Sequence, residues 1–315
     1  MKRYYLGIDT SCYTTSCAVI DSEGHIVGEA RKLLDVKLGE KGLQQSNMVF
    51  QHTKALPILL ESLPQVPLAG IGVSAFPRRS EDSYMPAFLV GQGVARSLSH
   101  MMQVPLYEFS HQENHILAAL RELKAVSKAP FFSLHLSGGT TELVLSRYLG
   151  RGIFETSVLG GSNDLQGGQF IDRVGVAMGL QFPAGKALEK LALEGEHYDP
   201  LPSSMKDGWI SFAGPCSEAL RRIENNSLSK ENISKAVFSC IGNALDKLIT
   251  YHYKKYPVTT LVAVGGVMSN SILRNRLYRV CKKYNMQVHF AAPYFSVDNA
   301  TGNAFGSLLA HRESI

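Results

Sequence analysis

The chain has 315 residues, 45% of them hydrophobic and 19% charged, with one Trp and 28 Gly, which excludes a disordered or fibrous protein and gives length enough for two domains. A net charge of +5 suits an anionic partner such as a nucleotide or tRNA, but falls short of a basic nucleic-acid-binding tail. Cys12, Cys17, Cys216, Cys240 and Cys281 are scattered with no CxxC pair, so neither a disulfide framework nor a zinc ribbon is indicated. With no signal-peptide pattern and no membrane-spanning apolar run, a cytoplasmic protein with reduced thiols is expected.

The opening "YYLGIDTSCYTTSCAVIDSEGHIVGEAR" alternates apolar and small polar residues around the turn Asp21-Ser22-Glu23-Gly24, which predicts a β-meander. Helical patterns follow in "NMVFQHTKALPILLESL" and "PAFLVGQGVARSLSHMMQ", separated by "LAGIGVSAF", a buried strand. In "EFSHQENHILAAL", Ser110 and Glu113 form an S-x-x-E capping box, so a helix begins at His111 and places His115 one turn on, on the same face. "FFSLHLSGGTTELVLSRYLG" then repeats strand, small-residue turn and strand. Its likeness to "LGIDTSCYTTSCAVID" is an internal duplication with a period of about 130 residues, too long for a solenoid, and implies two similar α/β lobes. "QFIDRVGVAMGL" and "KALEKLALEG" read as helices flanking "QFPAG", and "SKAVFSCIGNALDKLITYHYKKY" as a long amphipathic helix. "TTLVAVGGVMSNSILRNRLYRVCKKY" reads as strand, Gly-Gly turn and helix, and "VHFAAPYFSVDNATGNAFGSLLAHR" as strand, irregular loop and final helix.

Three stretches carry chemistry. The Ser137-Gly138-Gly139 turn brings backbone N–H groups forward with no bulky Cβ, which suits phosphate or carboxylate oxygens, although such a turn is also common as a simple connection. Gly265-Gly266 ends an apolar strand before a helix, where a nucleotide can lie against bare backbone, with Asn270 in the helix's first turn to reach a ribose or base; a plain strand-to-helix connection is the competing reading. Two neutral imidazoles four residues apart can share one metal ion, or His111 can be a surface residue and His115 a core one. A zinc protease needs H-E-x-x-H; Gln112 stands in the glutamate's place and Glu113 serves the cap, so proteolysis is disfavoured. Asp298, in the loop before the last helix, would complete a two-His, one-Asp site with open positions.

Seven segments in order, "GIDTSC", "HQENH", "LSGGTTEL", "QFIDRVGVAMGLQFPAGKALEKLA", "SFAG", "VGGVMSNSILR" and "SVDNATGNA", resemble the TsaD family of tRNA N6-adenosine threonylcarbamoyltransferases over essentially the whole chain. The resemblance implies a duplicated fold of the actin-like, Hsp70-like and sugar-kinase-like ATPases, two α/β lobes with a nucleotide and metal cleft between them. Residues 1–105 would form the first lobe, completed by 296–315, and 106–295 the second. It implies that His111, His115 and Asp298 hold one divalent metal, Fe2+ or Zn2+. His135, Leu136, Ser137, Gly138, Gly139, Asp172 and Gly185, with Gly265, Gly266 and Asn270, would bind threonylcarbamoyl-AMP or ATP. Adenosine 37 of tRNA would receive the threonylcarbamoyl group, and an inactive homologous subunit and a small ATPase would be partners, with no membrane involved.

The departures fall near chemistry. Asp9 replaces Glu, Tyr13 and Thr14 replace two acidic residues, Thr140 replaces His, and "AFPRRSEDSYMPAFLVG", with Arg78 and Arg79, replaces a Gly-Pro-Gly loop. Three readings stay open: a divergent transferase, a metal- and nucleotide-binding regulatory paralogue that partners a more typical member, or another chemistry on the same fold, such as carbamoyl or phosphoryl transfer to a small molecule.

Overall fold

The alternating residues near the N-terminus fold as the expected meander, β1 (Tyr4–Asp9), β2 (Thr14–Asp21) and β3 (Ile26–Leu33). The computed structural model describes residues 2–11, 13–35, 43–121, 126–197, 199–290 and 298–314. Next come α1 (Gln45–Glu61), β4 (Leu68–Phe76), α2 (Phe88–Met102), β5 (Leu106–Ser110) and α3 (His111–Leu120). β2 runs antiparallel to β1, with Cys17 opposite Ile8, while β4 and β5 add in parallel, giving the order β3-β2-β1-β4-β5. Leu6, Ile8, Val19, Ile71 and Val73 point into one core with Leu56 and Ala95. Burying a large aliphatic side chain of this kind contributes about 1.5–3 kcal/mol.

A second meander, β6 (Phe131–Leu136), β7 (Thr141–Gly150) and β8 (Ile153–Ser162), precedes α4 (Gly167–Ala177) and α5 (Gly185–Glu194). Then follow β9 (Ser204–Lys206), β10 (Trp209–Ser211), α6 (Ala213–Glu224), α7 (Lys230–Tyr253), β11 (Thr260–Val264), α8 (Ser271–Lys283), β12 (Gln287–Phe290) and α9 (Thr301–Arg312). Within the sheet β12-β11-β6-β7-β8-β10-β9, the run β8-β7-β6-β11-β12 repeats the strand order of the first sheet, which is the duplication in three dimensions. α7 is buried along its length among Phe170, Phe212, Leu261 and Leu277 of this unit's core. The β9–β10 hairpin and α6 lie beyond the sequence reading; the hairpin turns on Asp207-Gly208, both with positive φ (52° and 84°), the geometry that an Asp-Gly pair favours.

Two compact units emerge, one of Met1–Lys128, Arg147–Glu155 and Val297–Ile315, the other of Ala129–Ser146 and Thr156–Ser296. The sequence reading sets the boundary after residue 105. The division falls instead after Lys128, because β5 pairs with β4 and α3 packs on α9, which keeps both elements in the first unit. α9 is buried from Thr301 to Ala310 and lies against β1 and β4 at glycines: a Cβ on Gly7 would stand 2.1 Å from Ala300 O, and one on Gly72 2.1 Å from Asn303 O. Absent side chains at these positions let helix and sheet meet backbone to backbone.

Candidate functional site

The first cluster is built at the start of α3. Ser110 is its N-cap, with Oγ accepting from Glu113 N (3.1 Å) while Glu113 Oε2 accepts from Ser110 N (2.7 Å), so the capping box fixes the helix start at His111 as expected. Asn114, on the same helix, ties it to the segment before α9: its Nδ2 donates to Asn299 O (2.7 Å), and its Oδ1 accepts from Asn303 N (2.8 Å). The neighbouring Asp298 thereby comes beside the two histidines. His111 Nε2 and His115 Nε2 are 3.0 Å apart, and Asp298 Oδ1 lies 3.6 and 3.5 Å from them.

These separations fit one ion. Donor atoms about 2.0–2.1 Å from a common metal stand about 2.9 Å apart at right angles and about 3.4 Å apart at tetrahedral angles. Without a cation one imidazole must donate to the other; with one, both Nε2 atoms can present lone pairs. Electrostatics agree with this donor set. Burial, then the neighbouring His115, push His111 down to about 4 against the pull of Asp298, so its imidazole is neutral near pH 7, the form that ligates.

A fourth group, Asp9 at the end of β1, has no exposed surface. Its Oδ2 accepts from Ser11 Oγ (2.9 Å) and lies 3.9 Å from His111 Nδ1; Asp9 Oδ1 and His111 Nδ1 are buried without hydrogen-bond partners. Burial and then the Asp298 charge raise Asp9 to about 7 despite hydrogen bonds from Ser74 and Ser11. The Asp298 carboxylate and the Asp9 carboxyl thus gather acidic oxygens beside the neutral His111 imidazole, an arrangement that a divalent cation would favour. The signal that could have found Asp9 is its place at the strand end in "GIDTSC".

The second group of predicted residues lies in the other unit, where β6 ends in His135 and Leu136 and turns through Ser137, Gly138 and Gly139. Ser137 Oγ accepts from Gly139 N (3.2 Å) and Thr140 N (3.0 Å), so two of the turn's N–H groups are already used inside it. A Cβ on Gly138 or Gly139 would meet nothing within 4 Å, which leaves open space over the turn. Gly265 has φ +100°, and a Cβ there would strike Leu136 O at 2.3 Å, so this glycine brings the end of β11 against the end of β6. Gly266 begins a 3-10 turn. Asn270 is the N-cap of α8, one position before the first turn in which the sequence reading sets it, and its Oδ1 accepts from Leu273 N (2.9 Å). The capping bond occupies that oxygen.

Asp172 of α4 accepts from Ala184 N (2.8 Å), which ties it to the start of α5 at Gly185, and burial raises its carboxyl above the usual range. Glu189 on α5 accepts from Ser271 N (2.7 Å), linking α5 to the head of α8 beside Asn270. Asp172 is thereby joined to Gly185 and, through α5, to Asn270, and the head of α4 meets the Ser137 turn, where Gly168 N donates to Ser137 O (3.1 Å). In "SFAG", Ser211 Oγ, Phe212 N and Ala213 N all donate to Asp164; burial works to raise that carboxyl, but these bonds hold it below the usual range. The bonds account for that segment as the anchored head of α6.

A sequence model of TsaD, tRNA N6-adenosine threonylcarbamoyltransferase, matches residues 84–305. A protein of that name from Sulfurihydrogenibium sp. (strain YO3AOP1) is 30% identical over 98% of this chain and 90% of its own length. Among solved structures, component A of (R)-2-hydroxyglutaryl-CoA dehydratase from Acidaminococcus fermentans superposes with a TM-score of 0.62 at 14% identity, covering 98% of this chain and 99% of that one. A ROK family glucokinase from Streptomyces griseus, in complex with glucose and AMPPNP, superposes with a TM-score of 0.55 at 12% identity over 98% and 99%. These two likenesses speak to fold alone, that of the actin-like and sugar-kinase-like ATPases.

Proposed function

The chain belongs to the TsaD family of tRNA N6-adenosine threonylcarbamoyltransferases, and on that footing we propose that it transfers the threonylcarbamoyl group of threonylcarbamoyl-AMP to N6 of adenosine 37 in tRNA. The observation that carries this reading is the convergence of His111, His115 and Asp298 from distant parts of the chain on one point. In the reaction the exocyclic amine forms a bond to the carbamoyl carbon, the bond from that carbon to the adenylate oxygen breaks, AMP leaves with the electron pair, and the amine gives up one proton. A divalent ion held by the three side chains, Fe2+ or Zn2+, would supply positive charge and a template for the anionic part of the adenylate.

The chain's own residues do the rest. His111, neutral near pH 7, keeps a lone pair for ligation, and the helix start fixed by Ser110 and Glu113 holds it in place. In the second unit, the open space over Gly138 and Gly139 leaves room for an adenylate phosphate, although the N–H groups of Gly139 and Thr140 are bonded to Ser137 Oγ, with Asp172 and Gly185 near the head of α5. Holding the two reactants in register trades translational freedom for orientation, so no side-chain nucleophile is needed.

A polyanionic partner suits the surface at the adjoining ends of α7 and α8. Tyr253 stacks on Tyr284 there, with ring centroids 4.4 Å apart, and Lys254, Lys255, Arg279, Lys282 and Lys283 are all exposed. Two helix C-termini carry a combined partial charge of about −1 and Asp207 faces Lys255, while Asp246 is paired with Arg276, so the five cations leave an excess of about +3. An inactive homologous subunit and a small ATPase complete the proposed assembly.

The second reading, a paralogue that binds metal and nucleotide without turnover, draws on the Tyr13-Thr14 segment, where acidic residues are replaced by an exposed Tyr and a buried Thr. Nucleoside analysis of tRNA from cells holding this chain as their single family member separates the two. Threonylcarbamoyladenosine in that tRNA supports the transferase; its absence, with the protein folded and metal-loaded, supports the paralogue.

A further inference from the structure

We propose that Arg79 is a positioning residue for the metal site, acting through Glu113 to hold the head of α3, and with it His111, at the place where an ion is bound. The inference rests on the metal reading of His111, His115 and Asp298. Glu113 is only 1% exposed, a setting in which a carboxylate needs a full set of donors. It has four: Ser110 N at 2.7 Å and Arg79 Nη2 at 2.9 Å on Oε2, and Arg79 Nε at 2.9 Å and Phe154 N at 3.1 Å on Oε1.

The guanidinium thus grips both carboxylate oxygens in a planar fork, the geometry that an ammonium cannot reproduce. Arg79 Nη2 also donates to Glu108 O (3.1 Å), and the guanidinium carbon sits 5.1 Å from the centroid of the Phe76 ring. Two residues earlier, Pro77 O accepts from Gln112 N (3.3 Å), an N–H of the first helical turn that has no partner inside the helix. The segment after β4 therefore closes the head of α3 twice, once by backbone and once by the Arg79 fork.

His111 is the first residue of that helix, next to the capping Ser110. A shift of the head of α3 moves His111 more than His115, which is buried in the second turn. Arg79 has no hydrogen bond or ion pair to the three ligands, so its influence on the ion runs through Glu113 and, through Glu108 O, the end of β5 that leads into the helix start. Groups that hydrogen-bond a ligand directly are commonly worth about 10–100-fold in metal affinity, and Arg79, which reaches His111 through Glu113 and the helix start, belongs at the low end of that range.

The bland alternative is that Arg79 merely neutralises a buried carboxylate. A comparison of Arg79→Ala, Arg79→Lys and the double variant Arg79→Ala/Glu113→Gln separates the two, with Co2+ as the probe ion and metal-free thermal stability measured in parallel. In the double variant the buried charge is gone, while the glutamine side chain that replaces Glu113 can still complete the capping box. If Arg79 positions His111, the double variant regains much of the stability lost in Arg79→Ala but still binds Co2+ at least about tenfold more weakly than wild type, with an altered visible spectrum. Arg79→Lys then falls between wild type and Arg79→Ala. Wild-type Co2+ affinity and spectrum in the double variant would overturn the proposal. Failure of the wild-type protein itself to bind Co2+ would overturn the metal reading beneath it, and the two failures are told apart by that control.

Discussion

Replacing Gly302 with alanine is expected to push α9 away from α3 and to damage both stability and metal binding. An added Cβ would stand 1.9 Å from Asn114 O, 2.5 Å from Asn114 Oδ1 and 2.8 Å from Ala118 N. An ordinary carbon–oxygen contact needs about 3.4 Å, so the two backbones must part by about 1.5 Å, a movement that a packed interior resists. Such overpacking costs about 1–3 kcal/mol. The same movement stretches the bonds from Asn114 to Asn299 O (2.7 Å) and from Asn303 N (2.8 Å) beyond useful length. Two buried hydrogen bonds add about 1 kcal/mol each, for a total near 3–5 kcal/mol. Asp298 lies one residue from Asn299, and its Oδ1 is 3.5 Å from His115 Nε2, so the carboxylate leaves the other ligands by a comparable distance. Urea denaturation of the metal-free protein and titration with Zn2+ or Co2+ measure the two effects. Gly138→Ala is the control, because nothing lies within 4 Å of its added Cβ and its stability should match wild type within about 0.5 kcal/mol. A Gly302→Ala protein with wild-type stability and wild-type metal affinity would refute the close approach of α9 to α3.

Three further outcomes are expected. His111→Ala, His115→Ala and Asp298→Ala each reduce bound metal from about one ion per chain to a small fraction, as elemental analysis after desalting would record, since two remaining ligands make a weak site. Gly138→Val keeps the fold but loses AMP binding in calorimetry, because its side chain fills the open space over the Ser137–Gly139 turn; undiminished binding would place the nucleotide elsewhere. In chelator-treated protein, Asp9→Asn becomes more stable relative to wild type as pH rises. The Asp9 carboxyl, raised in the fold to about 7 by burial and then by Asp298, contributes fully below about pH 4, and that contribution is lost as pH rises towards 7. The difference between the two proteins should grow by up to about 4 kcal/mol over that interval, at about 1.4 kcal/mol per pH unit. A pH-independent difference in urea midpoints would refute the assignment of Asp9 as a buried, proton-retaining group.

How far the sequence could lead depended on whether a signal was local. The start of α3 was legible because a capping box is a pattern of four consecutive residues, and Ser110 and Glu113 form it as read. The repeated meander was legible for the same reason, since period-two alternation is written within each strand. Strand order was not, because β4 joins β1 across an intervening helix, and β11 joins β6 only after more than a hundred residues. The boundary after residue 105 failed on similar grounds: nothing within "EFSHQENHILAAL" says that α3 will pack on a helix near the other end of the chain. Asn270 falls in a first turn when counted from the Gly-Gly pair, a count that could not register the 3-10 turn at Gly266–Ser269, which moves the helix start to Ser271.

The site divides along the same line. Paired histidines four residues apart advertise themselves, and a carboxylate in a loop before a helix can be nominated as their companion; geometry then brings all three within reach of one ion. Asp9 and Arg79 stand out in the sequence as departures from the family pattern, but not as neighbours of this site. Asp9 sits in a strand whose other inward residues are apolar, and its consequence for the site comes from the burial that raises its carboxyl and from the nearby Asp298. Arg79 belongs to a segment that reads as a departure from the family pattern near chemistry, and its guanidinium is turned onto the buried Glu113. That contact changes what the departure means. An arginine free in a substrate site would compete for phosphate, whereas one spent on a buried carboxylate cannot do so without leaving Glu113 short of two donors. A segment that departs from the family pattern is thus bound to the helix that carries the paired histidines, and its chemistry supports the capped start of α3 instead of obstructing it.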